Sequence, residues 1–225
     1  MKRAEELIKE YDAIVSAGRD DETEQWIKSA CAAYDQEYPD DIAGRCALYN
    51  EAGSFYRHRN RAGESIDWFL RAKELMETEP NRTVNYANTI NNLAGAYRLT
   101  GQFEEAKEFF QKAIEIYEQN PNLPETFLCS GYNNLALVEL DCAHEKEALN
   151  WFRKTLSVLE KTQNNYYEKA TTYANMAVAY FRMGQHEESV DCLQKADEYY
   201  IAGGLESSME YQAFSNLQKM IKSRE

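Results

Sequence analysis

Apolar positions along the chain recur at two spacings at once. Over short stretches they fall at i, i+3, i+4 and i+7, as in Ile90, Leu93, Ala94 and Tyr97, and again in Phe103, Ala106, Phe110, Ala113, Ile114 and Tyr117. That is the period of a helix burying one face. Over longer distances an aromatic or apolar doublet returns: Trp26-Ile27, Trp68-Phe69, Phe109-Phe110, Trp151-Phe152 and Cys192-Leu193, at spacings of 42, 41, 42 and 41. Small residues keep step with it. Thr23, Ser65, Ala106, Ala148 and Ser189 lie four before the doublet's second member, and Ala30, Ala72, Ala113, Thr155 and Ala196 three after it. Upstream, Gly53, Ala94, Ala136 and Ala177 form a further small column, followed three residues later by Tyr56, Tyr97, Glu139 and Tyr180. Antiparallel helices approach to about 8–10 Å only where one presents a small side chain for the other's large one to cover. The pattern therefore predicts helix pairs repeated along an all-α chain.

Breakers fall where such an arrangement needs them. Gly18, Gly101 and Gly184 occupy the short turns inside units, where a residue just past a helix end adopts φ > 0; the third unit has Ala143 there. Pro39, Pro80, Pro121 and Pro124 fall between units. The resulting organisation is one array over 1–225: a degenerate first repeat over 1–41, repeats over 42–80, 81–124, 125–165 and 166–204, and a capping segment over 205–225. Ser207 to Lys222 is expected to form the closing helix. Its Gln218 stands where the preceding repeat has Ala177, as suits a terminal repeat with no neighbour to cover it. That makes eleven helices.

The stretch Asn92-Leu93-Ala94-Gly95-Ala96-Tyr97-Arg98-Leu99-Thr100-Gly101-Gln102-Phe103-Glu104-Glu105-Ala106, continuing through Phe110 and Ala113, resembles the tetratricopeptide repeat. The period exceeds that family's usual length of about 34. With Asn-Asn-Leu-Ala opening the motif and Ala-Ile-Glu-Ile-Tyr-Glu closing it, the chain looks like the kinesin light chain subclass. The likeness runs from about Ile42 to Ala202 and is weakest in the third repeat, at Glu139 and Ala143. It implies a right-handed α-α superhelix, a tetratricopeptide solenoid of about five helical hairpins plus a cap helix, that binds protein or peptide in its concave groove. No added effector module is recognisable, so the array is expected to account for the whole chain.

Composition narrows the partners. Among 225 residues, 38 are acidic and 25 basic, a net charge of −13. A phosphate backbone or an anionic membrane finds no basic footprint here, so neither nucleic acid nor membrane is expected as a partner. Only 10 Gly and 4 Pro rule out a turn-rich β architecture. The apolar runs are too short to span a bilayer, and the opening Met1 to Glu10 lacks the features of a signal peptide. Five cysteines, Cys31, Cys46, Cys129, Cys142 and Cys192, are widely spaced and fall in helical pattern. They are expected to be reduced, buried thiols in a cytoplasmic protein, with no zinc site among them.

Candidate binding residues lie opposite the buried stripe of each repeat's first helix. Two columns of asparagine stand out: Asn50, Asn91 and Asn133, and, one residue on, Asn92, Asn134 and Asn175, with Glu51 and Asn216 at the flanking places. Asparagine inside a helix costs roughly 0.5 kcal/mol against alanine, so its repetition calls for a reason. Carboxamides each offer a donor and an acceptor, as an extended peptide backbone requires. Alternatively they bond the neighbouring repeat and set the pitch of the array. The resemblance favours the first reading for Asn92, Asn134 and Asn175, because related repeats hold peptide at that place. Arg57 and Arg98 follow Glu51 and Asn92 by six residues and are placed at the edge of the same groove, with Leu140 and Phe181 at their places further on. Such a groove suits a peptide with an acidic or C-terminal carboxylate end; the plain alternative is a solvated arginine patch.

Catalytic signatures are missing. His58, His144 and His186 stand apart, and no phosphate loop, nucleophile elbow, dinucleotide fingerprint or zincin motif occurs. Asp20-Asp21-Glu22 and Glu104-Glu105 sit where helix N-termini favour negative charge. The sequence therefore points to a non-enzymatic adaptor without cofactor. A peptide-switched regulator and a self-associating assembly subunit are the alternatives, and the oligomeric state stays open.

Overall fold

A computed structural model describes residues 3–18, 20–78, 84–161 and 164–223, apart from the side chains of Asp20 and Asp21. Pro80, the boundary at 80/81 and the Asp20-Asp21 side chains lie outside the described residues. Among those described there are eleven helices and no strand. Two compact units divide the chain between Gln119 and Asn120.

The first unit holds α1 (Ala4–Ser16), α2 (Asp20–Glu37), α3 (Ile42–His58), α4 (Ala62–Glu77), α5 (Val84–Leu99) and α6 (Phe103–Glu118). Consecutive helices pair as hairpins, and α1, α3 and α5 lie side by side. The second unit holds α7 (Glu125–Asp141), α8 (Glu145–Leu159), α9 (Tyr166–Arg182), α10 (His186–Ala202) and α11 (Met209–Lys222). The closing helix starts two residues later than expected because the Ser208 hydroxyl caps it, accepting from the Tyr211 N–H at 3.1 Å.

The small and large columns meet as their spacing requires. Ile27, Phe69, Phe110, Phe152 and Leu193 are fully buried, and so are Thr23, Ser65, Ala106, Ala148 and Ser189. Gly53 marks the tightest of these contacts: a Cβ there would stand 2.6–2.7 Å from three carbons of the Phe69 ring. Aromatic pairs join the two helices of a hairpin. Tyr97 stacks on Phe109 at 5.9 Å, Tyr132 on Trp151 at 5.7 Å, and Tyr173 on Tyr199 at 5.7 Å between ring centroids.

The intra-repeat turns share one backbone geometry. Gly18, Asn60, Gly101, Ala143 and Gly184 all have positive φ, from 58° to 79°, at spacings of 42, 41, 42 and 41. The repeat over 125–165 thus keeps the turn although it has Ala143 in place of a glycine. At the α2–α4 corner, Glu24 accepts from Arg61 at 2.5 Å and from Lys28 at 2.7 Å, and those two hydrogen bonds, in that order, hold its carboxyl down at about 2. All five thiols are free and four are buried; burial raises Cys31 to about 12 and Cys46, Cys129 and Cys192 to about 11. They are packing groups, not thiolate nucleophiles.

Candidate functional site: a carboxamide-lined hollow in the first unit

Between α3 and α5 the first unit has a hollow of about 250 Å³. Ala43, Ala47 and Asn50 supply the α3 wall, Asn85, Asn88, Thr89 and Asn92 the α5 wall, and Met76 of α4 completes it. The helical period explains the α5 wall, since positions 85, 88/89 and 92 share one face. The small side chains of Ala43 and Ala47 leave that face open. Asn50 and Asn92 are candidates the sequence names, whereas Asn85, Thr89 and Met76 are not; the i, i+3, i+7 recurrence of Asn at 85, 88 and 92 carries the signal for the first of these.

Each carboxamide is held differently. Asn50 donates from Nδ2 to the Cys46 carbonyl and to the Thr89 hydroxyl, both at 2.9 Å, so it links two repeats. Thr89 in turn lies 3.6 Å from the Met76 sulfur. Asn88 accepts at Oδ1 from the Tyr117 hydroxyl at 2.7 Å. Burial raises the Tyr117 pKa, which keeps that hydroxyl a donor and leaves the Asn88 amide nitrogen as the group available to a ligand. Asn85 is exposed and Asn92 half-buried.

Arg57 stands beside this face. Its Nη1 is 3.5 Å from Asn92 Oδ1 and 3.1 Å from where a Cβ on Gly95 would lie, so the guanidinium rests against the bare backbone of α5. Its carbon is 5.9 Å from the Phe69 ring centroid. Burial pulls its pKa below the usual arginine value, and among the described residues no carboxylate forms an ion pair with it. A largely buried cation without an anion is costly unless something else satisfies it. Across α3, Glu51 is a half-buried carboxyl raised by burial and by the neighbouring Asp12.

The two asparagine columns separate. Asn91 is only 9 % exposed, and the Oδ1 atoms of Asn50, Asn91 and Asn133 are all buried without a hydrogen-bond donor. This column turns its side-chain oxygens into the packing between helices, although Asn50 also lines the hollow. In the second unit Asn134 is half-buried, 3.4 Å from the Ser130 hydroxyl, and Asn175 is half-buried on α9. Arg98 is half-buried near the end of α5. Leu140, at the place that Arg57 and Arg98 take in earlier repeats, does not reach the surface. Leu140 is 5 % exposed, and its carbonyl accepts from Arg182 at 2.6 Å. Phe181 is half-buried, with its ring edge-on to His186 at 5.6 Å. Among the described residues no group of three His, Cys, Asp or Glu could hold a metal ion, and no helix is long and apolar enough to cross a membrane.

A tetratricopeptide repeat model matches residues 44–119 and 127–200, two thirds of the chain. The chain belongs to the tetratricopeptide repeat family. Within it the chain is of the kinesin light chain-like kind, similar to Protein KINESIN LIGHT CHAIN-RELATED 1 of Arabidopsis thaliana at 23 % identity over 158 residues, or 69 % of this chain and 26 % of that protein. This tetratricopeptide repeat chain thus spans about a quarter of the length of the curated kinesin light chain-related proteins it matches. Among solved structures it is similar to BtubC (BKLC) from P. vanneervenii, with a TM-score of 0.77 at 17 % identity, covering 88 % of this chain and 80 % of that one. It is also similar to PlcR of Bacillus thuringiensis in complex with the peptide PapR7 and DNA, with a TM-score of 0.71 at 13 % identity, covering 95 % and 74 %. At those identities the two structures establish the helical-repeat fold.

Proposed function

We propose that this chain is a non-enzymatic, cytoplasmic protein-interaction adaptor that holds a peptide segment of its partner on the inner helices of its repeats. The observation carrying this reading is the hollow between α3 and α5, walled by Asn50, Asn85, Asn88 and Asn92, with Arg57, which has no carboxylate partner among the described residues, beside Asn92. Carboxamides satisfy a peptide backbone on both its donor and acceptor sides. Arg57 adds a demand for a carboxylate, from an Asp or Glu side chain or a chain terminus. Asn134 and Asn175 extend the same chemistry on the second unit, and Arg98 adds charge on the first. The PlcR structure, bound to peptide, supports the fold's competence for such ligands. DNA is not proposed for this chain, whose charge is −13.

The test is selection of a random dodecapeptide library on the full chain, then titration of the recovered peptides against Asn85→Ala/Asn92→Ala. Asn85 is exposed and Asn92 meets the rest of the fold only through a long 3.5 Å bond from Arg57, and Asn92→Ala improves interior helix propensity by roughly 0.5 kcal/mol. The variant should melt at or above the parent temperature. Losing two peptide hydrogen bonds at about 0.5–1.5 kcal/mol each should weaken binding by roughly five- to a hundredfold. Earlier melting with undiminished binding would overturn the reading, and so would a library that yields no binder.

A further inference from the structure

In the second unit a hollow of about 420 Å³ lies where α8, the end of α9 and the start of α10 meet. Lys146, Leu149 and Arg153 wall it from α8, and Tyr180 and Gln185 close it from the other two helices. Positions 146, 149/150 and 153 share one face of a helix. Arg153 donates from Nη1 to Asn150 Oδ1 at 3.2 Å and from Nη2 to the Tyr180 hydroxyl at 3.0 Å, and both acceptors are neutral. Among the described residues neither Arg153 nor Lys146 forms an ion pair with a carboxylate. Glu188, which also lines the hollow, accepts instead from Gln185 Nε2 at 3.0 Å. The lining thus sets two cations against one carboxylate.

The same corner of the first unit, where α2, α3 and α4 meet, is complete. The repeat columns align the two. Lys28 follows Ile27 as Arg153 follows Phe152, and Glu24 follows Thr23 as Leu149 follows Ala148. Tyr56 stands at the place of Tyr180, and Arg61 and Glu64 at the places of Gln185 and Glu188. Glu24 accepts there from Arg61 at 2.5 Å, from Lys28 at 2.7 Å and from the Tyr56 hydroxyl at 3.2 Å. Arg61 also pairs with Glu64, so two cations meet two carboxylates. In the second unit Leu149, only 3 % exposed, takes the place of Glu24. A cation remains where the chain's own anion is gone. The corners between them lack this mismatch. One has Ile66 and Leu70 at the two places, and the next has Gln111 at the place of Arg153 while His144 lies 2.8 Å from Glu139.

We infer that the α8–α9–α10 hollow binds a carboxylate side chain of a partner protein, an Asp or Glu seated over Leu149 where the first unit has the carboxylate of Glu24. A guanidinium has five N–H donors, and the bonds to Asn150 and Tyr180 leave others for the incoming oxygens. Lys146 stands one turn from Leu149 on one side and Arg153 one turn on the other, so the carboxylate lies between two charges. The Tyr180 hydroxyl accepts from Arg153, which leaves its own proton to donate, as Tyr56 donates to Glu24. With the ligand in place the hollow reaches the balance of two cations and two carboxylates that the first unit has. Lys146 and Arg153 are both exposed, so the ligand reaches them directly. This site shares no residue with the α3–α5 hollow and stands apart from the peptide reading given there.

The test titrates the full chain with N-acetylglutamate amide, and with N-acetylglutamine amide as its uncharged match, at constant ionic strength. Binding is read by NMR on the Arg153 Nε–H, identified by its loss in Arg153→Gln, and on the Gln185 backbone amide. The glutamate probe should shift both signals saturably and the glutamine probe neither. Arg153→Gln, a change at an exposed residue, should weaken the response at Gln185 about tenfold or more, the loss of a charge-assisted hydrogen bond. Leu149→Glu rebuilds the first-unit corner: its Arg153 signal should start near the probe-saturated position and ignore further probe. No saturable shift, an equal shift from the glutamine probe, or undiminished binding in Arg153→Gln would overturn the inference. So would a folded Leu149→Glu variant that still responds to the probe. Inorganic phosphate that saturates the site more tightly than the glutamate probe would overturn the assignment to a carboxylate.

Discussion

Alanine in place of Gly53 and alanine in place of Gly95 are the same change on the same kind of helix, yet the structure gives them opposite expected signs. Glycine in a helix interior costs about 1 kcal/mol relative to alanine, so each replacement begins with that gain. At Gly53 the new methyl would lie 2.6–2.7 Å from three carbons of the Phe69 ring. Phe69 is fully buried and packs with Leu93 and Ala96, also fully buried, so the ring has nowhere to retreat. Overpacking of this kind costs about 1–3 kcal/mol. With an immobile ring at that distance the upper end applies, and the balance is about 2 kcal/mol of destabilisation. At Gly95 the atom met is Arg57 Nη1 at 3.1 Å, the far end of a flexible side chain. A shift of a few tenths of an ångström relieves it, so most of the propensity gain survives. For a chain of this size 1 kcal/mol corresponds to about 2–4 °C in melting temperature. Gly53→Ala should therefore melt about 4–8 °C below the parent and Gly95→Ala about 1–4 °C above it. Repeat arrays need not unfold as one, so hydrogen exchange in α3 and α5 should accompany the melting curves. Gly53→Ala melting at or above the parent would refute the close approach of Phe69 to α3.

Ala143 holds φ at 59° where the first, third and fifth intra-repeat turns have glycine, a conformation that costs an L-residue roughly 1–2 kcal/mol. Ala143→Gly should accordingly be about 1 kcal/mol more stable in urea denaturation, and a loss of stability would show that the turn is unstrained. Glu24 has its carboxyl lowered from 4.5 to about 2 by hydrogen bonds from Arg61 and then Lys28, so its contribution is complete above the unfolded value. It should fade as pH falls from about 4.5 towards 2. The stability gap between the parent and Glu24→Gln should be constant above about pH 5 and close on acidification, and a gap independent of pH would refute the assignment.

The fold was legible because packing repeats. A fully buried alanine at 106 and another at 148 follow from one fact about antiparallel helices, that each large side chain needs a small one opposite it. Any single column is ambiguous, but several columns in register are not. Ala143 shows the limit of reading turns by residue type. The left-handed turn there is imposed by the helices on either side, and it persists where the sequence has no glycine to announce it. The start of α11 shows another limit. The sequence places its start at Ser207, while the end of the helix is set by the Ser208 hydroxyl, which accepts from the Tyr211 N–H.

The binding face was legible only in outline, for a geometric reason. Adjacent asparagines on a helix differ by about 100° in direction, so Asn91 and Asn92 sit in parallel columns that sequence spacing cannot separate. What separates them is the contact each makes. Asn50 is tied to Thr89 on the next inner helix, and Asn91 is buried with its Oδ1 unpaired, whereas Asn92 stays at the surface beside Arg57. The special status of Arg57 is likewise a property of what does not surround it. Arg61, four residues on and chemically identical, is paired with both Glu24 and Glu64. Arg57 instead lies against Gly95, where the missing Cβ makes room for a guanidinium and, among the described residues, no carboxylate forms an ion pair with it. Only the structure distinguishes an arginine that is already paired with carboxylates from one that is not, and the proposal of an acidic ligand rests on that distinction more than on the count of asparagines.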